Sequence, residues 1–154
     1  MKKILFVCTG NSCRSVMAQG LLRKMLKEKG RNDVQILSAG VSTLGGLGAT
    51  EETIEVMQME GVDVSGHISQ PLTRDLIRSA EAIFCMEEFH RELIRARSPE
   101  ARQKIHLLRL FEAEDRVLDP NIPDPIGRPK EVYESCLMTI KEAVERVAQW
   151  LQKQ

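Results

Sequence analysis

Neither sign of charge prevails in this sequence: 22 lysines and arginines stand against 22 aspartates and glutamates over 154 residues. A balanced chain has no global basic field to collect nucleic acid or anionic lipid, so any attraction for phosphate must come from a local site. Long apolar runs are also missing. After Met1, Lys2 and Lys3 only Ile4 to Val7 precede Cys8, too short a run for a signal peptide, and no stretch approaches the roughly 20 residues a membrane span needs. The expectation is a cytoplasmic protein with no membrane and no nucleic-acid partner. There is no Cys-x-x-Cys or His-x3-His pair, and His67, His90 and His106 lie far apart, so no metal and no cofactor are expected. In a reducing compartment Cys8, Cys13, Cys85 and Cys136 should be packed or reactive rather than joined in a disulfide framework. Repeats and low-complexity tracts are absent, and the length suits one domain spanning residues 1–154.

What is present is an alternation of elements. Lys3 to Val7, Val34 to Leu37, Ala82 to Phe84 and Lys104 to Leu108 read as strands separated by amphipathic stretches. That order predicts an α/β fold, a four-stranded parallel sheet with helices on both faces, flavodoxin-like or Rossmann-like. Met17, Leu21, Leu22, Met25 and Leu26 recur at helical spacing until Gly30. Thr50 can cap a helix with apolar positions at Ile54, Val56 and Met57, ending at Gly61, and Thr73 a shorter one through Leu76 and Ile77. Val132, Cys136, Ile140, Val144, Val147 and Leu151 mark one face of a long terminal helix. Between Glu112 and Pro129, prolines flanked by aspartates read as a loop of functional length.

The informative segment is ILFVCTGNSCRSVMA, residues 4–18. A cysteine at a strand end beside a helix N-terminus feels the positive end of the helix dipole and several uncapped amides, which stabilise its thiolate as a nucleophile. Thr9, Gly10, Asn11 and Ser12 are small enough for the backbone to curl into a nest of inward N–H groups around a phosphoryl group. Gly10 and Asn11 tolerate positive φ with least strain. The planar fork of Arg14 can grip two phosphate oxygens. Ser15 is placed to donate a hydrogen bond to the sulfur of Cys8 as it leaves. Cys85 to Arg91 has the same Cys-x5-Arg spacing, but it lacks glycine and sets two glutamates where a phosphate would sit. That match is rejected, and Cys85 is read as packed near a strand end. Gly40 to Gly46 resembles a nucleotide-binding loop but has Gly46 where lysine is required.

Hydrolysis through a thiolate needs a carboxyl that protonates the leaving atom and then activates water. Asp119-Pro120 and Asp124-Pro125 both qualify, and spacing does not choose between them. The combination of Cys8 to Ser15, Ser38-Ala39-Gly40, Asp124 to Gly127 and Tyr133 resembles the low-molecular-weight protein tyrosine phosphatase family over essentially the whole chain. The resemblance implies Cys8 as nucleophile, Arg14 as phosphate clamp and Asp124 as acid, with Thr9, Gly10, Asn11, Ser12, Cys13 and Ser15 lining the substrate cup. It also implies hydrogen bonds among Asn11, Ser15, Ser38 and His67 that hold the loop, although His67 on its own is equally a satisfied core or surface histidine. The implied partner is a phosphorylated protein or small phosphomonoester, and the protein is expected as a monomer or weak dimer.

Three positions depart from the family pattern. Val16 replaces a frequent proline and Gln19 a frequent glutamate, both on the helix behind the loop and so bearing on stability more than on chemistry. Ile126 stands where animal members carry a tyrosine at the entrance, a role the loop from Leu44 to Leu47 could take over. Ser12 matters for substrate: tyrosine-directed members usually have an aliphatic residue there, and the similar protein-arginine phosphatases a threonine, so phosphoarginine stands beside phosphotyrosine as the alternative. The loop also resembles that of thioredoxin-coupled arsenate reductases, which need two further cysteines close together. A redox-sensing protein is a further alternative, in which a Cys8–Cys13 disulfide shelters the nucleophile.

Overall fold

The computed structural model describes residues 1–115 and 119–154, so positions 116–118 of the expected proline-rich loop lie outside the described residues. Four strands, β1 (Lys2–Cys8), β2 (Val34–Gly40), β3 (Ala82–Cys85) and β4 (Ile105–Leu107), form one sheet in the order β2-β1-β3-β4. Every pairing is parallel. The helices are α1 (Arg14–Glu28), α2 (Glu51–Met59), α3 (Arg74–Ser79), α4 (Glu88–Arg97) and α5 (Lys130–Gln152). This is the expected three-layer α/β arrangement. Among the described residues no helix is long and apolar enough to cross a membrane.

The two-residue period of the strands divides the core. Ile4, Phe6 and Cys8 of β1 point with Phe84 toward α1, α2 and α5, where Leu22, Met57, Ile140 and Val144 are fully buried. Leu5 and Val7 point with Ile83 and Cys85 toward α3 and α4, against Ile77 and Ile94. Because β1 is central and the chain leaves it first to one side and then to the other, its carboxyl end is a topological switch point, where open α/β sheets hold their ligands.

Three details differ from the sequence reading. In α2, Val56 and Met57 are buried and Ile54 only half-buried. Helix α4 was not read individually from the sequence: it is short and rich in charge, and its buried residues are Ile94 and His90. β2 runs on through Ser38, Ala39 and Gly40 because the register Phe6↔Ser38, Val7↔Ala39, Cys8↔Gly40 continues to the end of β1. At Gly40 a Cβ would lie 2.6 Å from the carbonyl oxygen of Thr9 and 3.0 Å from the amide nitrogen of Asn11. Gly40→Ala is therefore expected to destabilise the fold by about 1–3 kcal/mol in urea unfolding. Gly66→Ala, whose Cβ would meet nothing within 4 Å, is the control and should stay within about 0.5 kcal/mol of the parent.

Candidate active site

Residues 8–15 wrap the carboxyl end of β1 and run into α1. The loop turns its carbonyls outward: those of Cys8, Thr9 and Ser12 accept from the amides of Val41, Ser42 and Thr50 at 3.0, 2.9 and 3.2 Å. The amides of residues 9–14 find no protein acceptor among the described residues. Helix α1 has no side-chain cap at Cys13 and no carboxylate in its first turn. Its open N-terminus and the loop amides are together a set of donors suited to an anion.

Asn11 holds this shape. It sits at φ 54°, in the left-handed region that asparagine tolerates, and is fully buried. Its Nδ2 donates to Ser15 Oγ at 2.8 Å and to Ser38 Oγ at 2.9 Å, and its Oδ1 accepts the amide of Gln70 at 2.9 Å. His67 Nε2 donates to the Asn11 carbonyl at 2.8 Å. Burial holds the His67 pKa below its usual value, against the opposing pull of that bond. Ser38 passes its own proton to Gln19 Oε1 at 2.7 Å, while Gln19 Nε2 donates to the Ile36 carbonyl at 3.0 Å. Gln19 thus belongs to the network that holds the loop. The chain of bonds ends at the sulfur: Ser15 Oγ lies 3.0 Å from Cys8 Sγ, and with Asn11 donating into that oxygen the serine proton is left for a thiolate.

Arg14 is 1% exposed. Its Nη1 donates to Glu87 Oε2 at 2.6 Å and to the Ile122 carbonyl at 2.7 Å, which leaves the Nε and Nη2 edge for phosphate oxygens. Its Nη2 lies 3.4 Å from Thr9 Oγ1 and 3.6 Å from Asp124 Oδ2. Asp124 is held by a turn in which its Oδ1 accepts the Ile126 amide at 3.1 Å. The exposed Asp119 accepts from the Asn121 amide at 2.9 Å, so its carboxylate closes its own turn. Of the two Asp-Pro candidates, Asp124 is the one beside the arginine.

Sequence reasoning missed four contributors. Glu87 comes from the segment rejected as a phosphate loop, and its carboxylate instead braces Arg14 from behind. Ile122 pins the loop that carries Asp124 by giving its amide to the Met86 carbonyl at 2.9 Å and its carbonyl to Arg14. Asn121 clips the same loop to α4 by accepting the Glu88 amide at 2.7 Å. His90 lies fully buried between Glu87 and Thr9. Only the position of Glu87 and His90 just past a strand end offered a signal.

The other cysteines are free thiols. Cys13 Sγ faces Tyr133 Oη at 3.8 Å and Thr50 Oγ1 at 3.5 Å, and burial pushes the Tyr133 hydroxyl up to about 12. Burial likewise pushes the thiols of Cys85 and Cys136 up to about 12. These two lie in the cores on opposite faces of the sheet, which is not the close pair that an electron relay to Cys8 needs.

The family model described as low molecular weight phosphotyrosine protein phosphatase matches residues 3–154. A probable low molecular weight protein-tyrosine-phosphatase, EpsP of Ralstonia solanacearum, is 37% identical over 145 residues, covering 94% of this chain and 92% of its own. A protein-arginine-phosphatase of Geobacillus stearothermophilus is 35% identical over 150 residues, covering 97% and 96%. The solved YwlE arginine phosphatase, with a phosphorylated serine in place of its active-site cysteine, superposes with a TM-score of 0.90 at 29% identity over 98% of this chain and 96% of that one.

Proposed function

Because the chain belongs to the low molecular weight phosphotyrosine protein phosphatase family, we propose that it hydrolyses phosphotyrosine in proteins through a phosphocysteine formed on Cys8. The observation that carries this reading is the placing of Cys8 Sγ, Ser15, the Nη2 edge of Arg14 and Asp124 around one set of inward amides. The sulfur attacks phosphorus as the bond to the leaving oxygen breaks, and Asp124 gives that oxygen its proton. Asp124 then takes a proton from water as the water attacks phosphorus, the P–S bond breaks, and the sulfur leaves as a thiolate stabilised by the hydroxyl of Ser15. Arg14 holds two equatorial oxygens throughout, with Glu87 and Ile122 keeping its plane fixed.

Phosphoarginine is the second reading, supported by Ser12 at the cup and by the arginine-phosphatase relative at similar identity. The two positions expected at the entrance offer no flat ring: Ile126 is 55% exposed and Leu44 fully exposed, both aliphatic. The proposal extends to one domain over residues 1–154, working in the cytoplasm as a monomer or weak dimer. The test is turnover of an aryl phosphate, a phosphotyrosine peptide and a phosphoarginine peptide at mildly acid pH. Higher kcat/KM on phosphotyrosine supports the first reading. A tenfold preference for phosphoarginine that falls on Ser12→Ile would replace it with the second.

A further inference from the structure

His90 is buried and takes no part in the chemistry above, yet each of its ring nitrogens has a defined partner. The amide of Glu87 donates to His90 Nδ1 at 3.1 Å. An amide can only donate, so Nδ1 accepts and the ring carries its proton on Nε2. Burial, reinforced by the charge of Arg14, holds the ring's pKa down to about 3, so this neutral form persists through the working range. Nε2 lies 2.9 Å from Thr9 Oγ1 and therefore donates to it. Arg14 Nη2 approaches the same oxygen at 3.4 Å, and a guanidinium also only donates. A hydroxyl oxygen that accepts from two sides has only its own hydrogen left to give.

We infer that the Thr9 hydroxyl is a dedicated hydrogen-bond donor to a phosphoryl oxygen of the bound substrate, and that His90 is the positioning residue that sets its direction. The inference rests on the phosphatase reading. The oxygen stands beside the same Nη2 that lies 3.6 Å from Asp124, on the side of the cup where the leaving group departs. A donor already oriented there needs no reorganisation as charge spreads over the phosphoryl oxygens in the transition state. The third position of α4 could hold the usual glutamate or glutamine of a helix start. Glutamate would accept from Thr9 and turn the hydroxyl away from substrate, whereas glutamine, like this histidine, can accept from the Glu87 amide and donate to Thr9.

The test is steady-state kinetics on an aryl phosphate for Thr9→Val, His90→Ala, His90→Gln and the Thr9→Val/His90→Ala pair, with thermal melts to show that each variant folds. Thr9→Val keeps the shape of a half-buried side chain, so it reads the hydroxyl even where a histidine variant fails to fold. The expected result is a fall of about 10- to 100-fold in kcat, with little change in KM, for Thr9→Val. His90→Ala should fall by at least fivefold, His90→Gln should stay within about threefold of the parent, and the pair should be no worse than Thr9→Val alone. Thr9→Val within twofold of the parent, or a further loss on adding His90→Ala to it, overturns the inference. Absence of Cys8-dependent turnover in the parent protein is a different failure, that of the phosphatase reading itself, and takes the inference down with it.

Discussion

Cys8→Ser is expected to abolish phosphatase turnover, by at least about 10⁴-fold, while leaving the phosphate cup intact. The effect is large because every later step depends on the phosphocysteine, and a serine hydroxyl has no base within the loop to remove its proton. Ser15, the nearest polar partner at 3.0 Å, is itself a hydroxyl that accepts from Asn11. The substitution shortens a side chain that is 2% exposed at the end of β1 and touches none of the bonds that hold Asn11, so the inward amides and Arg14 keep their places. The measurements are release of an aryl alcohol and binding of inorganic phosphate by titration. Residual turnover within tenfold of the parent would remove Cys8 from the centre of the mechanism, and loss of phosphate binding would show that the variant has lost its cup.

Asp124→Ala is expected to slow expulsion of the leaving group by roughly 10² or more, and Asp119→Ala to have a mild effect. The asymmetry follows from what each carboxylate faces. Asp124 is 3.6 Å from the Arg14 guanidinium proposed to hold the phosphate, on a loop fixed at Ile122 and Asn121. Asp119 spends its side chain on the amide of Asn121 at the far end of that loop. In kcat/KM, which reports formation of the phosphocysteine, the loss is that of a proton donor and should grow as the leaving group becomes more basic and nearly vanish for an activated nitrophenyl-type ester, with phosphate binding retained; kcat stays low for every ester because Asp124 also activates the water. The reverse ranking of the two aspartate variants, or a loss in kcat/KM independent of leaving group, would reassign the acid.

Much of the fold was legible because it rests on local rules. Apolar runs of period two and 3.6 mark the strands and most helices, and Thr50 and Thr73 cap α2 and α3 through their side chains as expected. Helix α4 was harder to read because it is short and charged, and a histidine supplies one of its two buried side chains where an apolar residue would mark the inner face. The same contrast runs through the site. Cys8 to Ser15 could be read from composition at a strand-to-helix turn, since small residues, a left-handed asparagine and an arginine serve the backbone conformation within eight positions.

What the sequence determined by itself was the set of side chains in that one turn and the alternating pattern that places it at the carboxyl end of a strand, because both depend on neighbours in the chain. Tertiary structure alone decided which aspartate stands by Arg14, that Glu87 braces it, that Gln19 ends a bond network begun at Cys8, and that His90 points at Thr9. Those partners lie up to 110 residues away in the chain, 124 against 14, and hydrogen bonds and ion pairs act over a few ångströms of space. Parallel pairing of β1 with β3 brings the end of one strand beside the helix that follows the other, and no spacing in the sequence encodes that approach.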